Sequence, residues 1–83
     1  MSVIYCKINI FDYEQEVFLG TKSIGKAPLK DLPQFLVNRC QENDVREVHL
    51  KGIKDYAQDV KNRVENYCQT KYGDLRIEVK IDE

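Results

Sequence analysis

A chain of 83 residues is long enough for one domain and no more. Its 42% hydrophobic and 33% charged residues exclude global disorder, and 13 basic against 14 acidic residues, interspersed to a net charge of −1, exclude the overall basic excess of a general polyanion binder, leaving only a local patch. The start, Met1-Ser2-Val3-Ile4-Tyr5-Cys6-Lys7, lacks the basic region of a signal peptide, and the apolar runs are too short to span a bilayer, so a soluble domain away from the membrane is expected.

Val3 to Phe11 reads as a strand, with Ile4, Cys6, Ile8 and Ile10 alternating against Tyr5, Lys7 and Asn9. Asp12 to Gln15 supplies a polar turn, and Glu16 to Gly20 a shorter strand that closes an antiparallel hairpin. Thr21 to Lys30, which contains Gly25 and Pro28, reads as a connecting loop with at most a short edge strand near Lys22 to Ile24. The first helix starts at Asp31 as cap, with Gln34 placed as in a capping box and Pro33 in the first turn; Leu32, Phe35, Leu36 and Cys40 form its apolar face, and it ends near Glu42-Asn43. Val45 to Lys51 is a strand closed by Gly52. Asp55 caps a second helix to about Lys71, with the stripe Tyr56, Val60, Val64, Tyr67 and Cys68 and a C′ glycine at Gly73. In the last strand Leu75, Ile77, Val79 and Ile81 face one way and Arg76, Glu78, Lys80 and Asp82 the other.

The expected fold is therefore an α/β two-layer sandwich in the order β-β-α-β-α-β. Its four-stranded mixed sheet runs 2-1-3-4, a right-handed βαβ crossover makes the last two strands parallel, and both helices cover one face. Cys6, Cys40 and Cys68 are three, widely spaced and on apolar faces, which points to buried thiols in a reducing cytoplasm and not to a disulfide or zinc framework.

The antiparallel meander followed by two helix–strand units resembles a shortened ribonuclease H-like fold in topology. Members that cut nucleic acid hold two metal ions with carboxylates on the first strand, the first helix and near the fourth strand. Here the first strand carries Tyr5, Lys7 and Asn9, and the third ends Leu50-Lys51-Gly52, so the resemblance does not imply nuclease activity. Val48 to Gly52 is similar to the strand–glycine turn of actin-like nucleotide-binding domains, but the rest of a phosphate-binding loop is absent.

No catalytic, cofactor or metal motif emerges: His49 is the sole histidine, and no nucleophile motif accompanies it. The surface that remains is the helix-free sheet face, with Tyr5, Lys7, Asn9, His49, Lys51, Arg76 and Lys80 as candidate binding residues, diluted by Glu47 and Glu78. The expectation is a non-catalytic protein-interaction or regulatory module with a protein partner, a second copy of the chain included. The alternative is single-stranded nucleic-acid binding through that face.

Overall fold

The computed structural model describes residues 2–82. In chain order they form β1 (Ile4–Ile8), β2 (Glu14–Leu19), β3 (Lys22–Pro28), α1 (Leu32–Glu42), β4 (Glu47–Gly52), α2 (Lys54–Tyr67), a π-helical turn over Cys68–Tyr72 and β5 (Glu78–Asp82). One sheet orders the strands β3-β2-β1-β4-β5. The first three make an antiparallel meander; β4 adds to β1 and β5 to β4, both in parallel because each is reached by a helical crossover.

Alternation decides which sheet face is buried. Ile4, Cys6 and Ile8 of β1, Val17 of β2, Val48 and Leu50 of β4 and Val79 of β5 point into one core, with Tyr5, Lys7, Lys51 and Lys80 on the opposite, exposed side. Leu32, Leu36, Val37 and Cys40 of α1 and Ala57, Val60 and Val64 of α2 fill that same core. The result is two layers with both helices on one face, as expected.

The sheet has five strands, not four. The inner order matches the expectation as β2-β1-β4-β5, and the segment expected to be mostly loop is a full edge strand, β3. Its Gly and Pro belong there for local reasons. Val17 faces Gly25 while Phe18 faces Ser23, so Ile24 is the extra residue of a β-bulge. At Gly25, φ is +133°, and a Cβ would lie 2.7 Å from Cζ of Phe35, whose ring α1 lays over the strand. Pro28 ends the strand on the outer edge, where its missing N–H costs no ladder bond.

Other boundaries also move. β1 stops at Ile8, so Ile10, expected among its core-facing residues, is exposed. Asp31 occupies the N-cap position of α1, but its side chain makes no capping hydrogen bond. The cap of α2 is Ile53, which leaves Asp55 in the first turn, where its charge suits the helix dipole. The core stripe of α2 is Ala57, Val60 and Val64; Tyr56 lies outside it and is exposed. Beyond Tyr67 the helix widens, with the Gly73 N–H donating to the Cys68 carbonyl at 3.0 Å. β5 begins at Glu78, so Arg76 is not on the sheet.

Candidate functional site

The strand registers assemble the helix-free face. Tyr5 is paired with Phe18 on one side and His49 on the other, Phe18 with Ser23, and His49 with Lys80. Ser23, Phe18, Tyr5, His49 and Lys80 thus form one row across the whole sheet. Lys7, Lys51 and Asp82 follow in the next row. Of the residues expected to bind, Tyr5, Lys7, His49, Lys51 and Lys80 come together. Arg76 lies ahead of β5 and off the strand rows, whereas Asn9 lies just past the end of β1 and lines a concavity together with Lys7.

Carboxylates occupy the same surface. His49 Nε2 is 2.6 Å from Glu47 Oε2, and its Nδ1 is 3.9 Å from Asp82 Oδ2. The Tyr5 hydroxyl donates to Asp82 Oδ2 at 3.2 Å, and its ring centroid is 5.6 Å from that of His49. Lys80 Nζ is 3.7 Å from Glu78 Oε1 and 3.9 Å from Glu47 Oε2. The hydrogen bond to Asp82, and then its negative charge, push the Tyr5 pKa above that of an ordinary tyrosine. A phenol held protonated in this way is poorly suited to act as nucleophile or base. A nucleic-acid backbone laid on this face would meet Glu47, Glu78 and Asp82 around His49 and Lys80.

A second feature lies at the end of this face, in the connection from β1 to β2. Asn9 to Asp12 is a β-turn, closed by Asp12 N–H to the Asn9 carbonyl at 3.0 Å, with Asn9 Oδ1 accepting from Phe11 N–H at 3.1 Å. Gln15, a polar residue at an inward position of β2, is 2% exposed. Its Oε1 accepts the Asn9 N–H at 2.7 Å, and its Nε2 donates to the carbonyls of Asn9 and Asp12, each at 3.0 Å. The buried amide thus fixes both ends of the turn. Outside that clamp, Phe11 is 90% exposed, Tyr13 80% and Ile10 42%. Asp12, Tyr13 and Glu14 of this tip and Lys7, Glu16, Phe18 and Lys26 of the open face line one concavity, so tip and face are continuous.

Of the tip residues only Asn9, which opens the turn, was among those expected to bind; Ile10, Phe11 and Tyr13 were not. The signal was Gln15, which shares its side of β2 with Val17 and Leu19: a polar side chain turned inward needs backbone partners, and it finds them in the turn it follows.

The thiols lie elsewhere. Cys6, Cys40 and Cys68 are free and buried, as expected. Burial pushes the Cys6 and Cys40 thiols up to about 12 and raises Cys68 as well, so all three hold their protons. Among the described residues, no helix is long and apolar enough to cross a membrane.

The chain matches no protein-family model, no curated protein and no solved structure.

Proposed function

We propose that this chain is a non-catalytic module that binds another protein through the aromatic tip of its β1–β2 hairpin, with the adjoining open sheet face as the polar surround. The observation that carries this reading is a rigid apolar tip: Phe11 and Tyr13 project into solvent from a turn held by three hydrogen bonds to buried Gln15. Exposed aromatics are the residues that most often anchor protein interfaces, and a fixed backbone lowers the ordering cost of docking them. Asp12, Glu14 and Glu16 beside the tip disfavour an anionic lipid surface as the target.

Tagged and recovered from its native host, the chain is expected to bring a stoichiometric protein partner with it. The double variant Phe11→Ser/Tyr13→Ser is expected to lose that partner, with affinity lowered on the order of 30-fold or more if one ring is a hot spot. Its thermal midpoint should match that of the wild type, because neither ring is buried. Equal recovery by the variant, or no stoichiometric partner for the wild type, would remove this reading. A low-salt titration with single-stranded DNA and RNA is expected to show no saturable binding. Salt-sensitive binding in that titration would transfer the function to the Tyr5–His49–Lys80 face.

A further inference from the structure

We propose that the free edge of β5 pairs with β5 of a second copy, antiparallel and centred on Val79, to make a two-fold symmetric dimer with one continuous sheet. This does not rest on the role of the hairpin tip, which lies on the other side of the sheet.

The two edges of the sheet differ. β3 carries the bulge at Ile24, then Gly25 and Pro28, which are devices that keep a strand edge from pairing. β5 has no bulge, glycine or proline. A groove runs along it, lined by Glu78 through Asp82 and walled on the other side by Lys54, Gln58 and Lys61 of α2.

The backbone sets which residues can bond across that edge. Glu78 N–H donates to the Arg46 carbonyl at 2.8 Å, so Glu78 faces β4. Alternation then turns Lys80 and Asp82 toward β4 as well, and leaves the N–H and C=O groups of Val79 and Ile81 directed outward. In an antiparallel pair the residue on a two-fold axis can exchange both of its hydrogen bonds with its symmetry mate, and Val79 is oriented to do so.

Charge selects the register. Reading Arg76-Ile77-Glu78-Val79-Lys80-Ile81-Asp82 outward from Val79, every charged residue has one of opposite sign at the mirrored position. Centred there, Glu78 faces Lys80 of the second copy and Lys80 faces its Glu78. These are non-hydrogen-bonded positions, where side chains approach most closely. Centring on Lys80 would instead oppose Lys80 to itself and Glu78 to Asp82, like against like. On the helix side, the Val79 register places Val79 against Val79.

Sedimentation equilibrium over a concentration series tests this, with an expected limiting mass of twice the 9.8 kDa chain. Glu78→Lys and Lys80→Glu, both at exposed positions, should each weaken dimerisation on the order of tenfold or more, since each turns two attractive cross-strand pairs repulsive. Mixed in equal amounts, the two variants should form a heterodimer, because one chain then carries lysine at both positions and faces glutamate at both positions of the other. The double variant Glu78→Lys/Lys80→Glu should recover self-association. Circular dichroism of each variant reports whether it remains folded. A wild type that stays monomeric at high micromolar concentration overturns the proposal, even if another protein's strand is found on β5. Singles that dimerise like the wild type, or a mixture that does not associate, overturn this pairing even where a dimer exists.

Discussion

Gly52→Ala is expected to destabilise the protein by about 3 kcal/mol, which for a domain of this size lowers the thermal midpoint by roughly 10–20 °C. Two independent terms add. The backbone at Gly52 has φ of +136°, a region that residues with a Cβ rarely adopt. The added Cβ would also lie 2.5 Å from the Ile8 carbonyl oxygen, a backbone atom of the central strand that cannot rotate away. Ile8 and Gly52 are the last registered pair of β1 and β4, so relief requires parting the two strands that join the halves of the sheet. Gly20→Ala is the control: φ there is +63°, but nothing lies within 4 Å of the new methyl, so only the conformational term of about 1 kcal/mol applies. Urea unfolding of both variants at constant m checks the difference. Equal losses for the two would show that the close approach to Ile8 does not matter. The same contact explains the Leu50-Lys51-Gly52 sequence without a nucleotide.

Stability is expected to fall steeply between pH 9 and pH 12. Cys6 and Cys40 are held at about 12 in the folded chain against an ordinary thiol value of 9.0. In that window the unfolded chain releases two thiol protons that the native chain retains. The native state therefore binds more protons, and each thiol removes about 1.4 kcal/mol of stability per pH unit. By pH 10.5 the pair removes on the order of 4 kcal/mol, a large part of the roughly 5–15 kcal/mol typical of a small domain. Below pH 9 this contribution is intact. Urea midpoints from pH 7 to 11 measure the slope, and Cys6→Ala/Cys40→Ala should flatten it, because tyrosine and lysine titrations are common to both proteins. A slope unchanged by the double substitution would show that other groups carry it. Native labelling at pH 8 should likewise be slow at Cys6 and Cys40. Cys68, beside a shallow cleft lined by Gln69, Gly73 and Arg76, should react first.

Much of the architecture is legible in local pattern. The alternation of Ile4, Cys6 and Ile8 identifies the central strand and its buried side, and helical spacing after Leu36 and Val64 places Cys40 and Cys68 in the core. What was not legible depends on contacts from distant parts of the chain. Gly25 argues against a strand until Phe35, arriving from α1, is seen to need the space above it. Tyr56 and Ala57 stand equally well at helical spacing before Val60, and hydrophobicity favours tyrosine. The fully buried position goes to the smaller residue, with Tyr56 left outside. Ile10 and Phe11 continue the pattern of β1 on paper. They leave the strand because the Gln15 side chain binds the backbone at Asn9 and Asp12, a bond that hydrophobic periodicity does not register. The candidate face was half visible for the same reason: pairing across strands brings Tyr5, His49 and Lys80 together, but also the carboxylates of Glu47, Glu78 and Asp82.

The bulge at Ile24 has a consequence for solution behaviour at high concentration. Growth of a cross-β filament requires every molecule to be adhesive on two opposite sides, so that each addition presents a fresh template. A sheet closed by a kinked strand with a proline at its end has lost one of the two. A strand that adds along β5, as proposed above, gives a product that ends in the bulged β3 on its other side. Strand-by-strand growth of folded molecules is therefore stopped at β3, and a cross-β filament would have to start from chains that have first lost the meander.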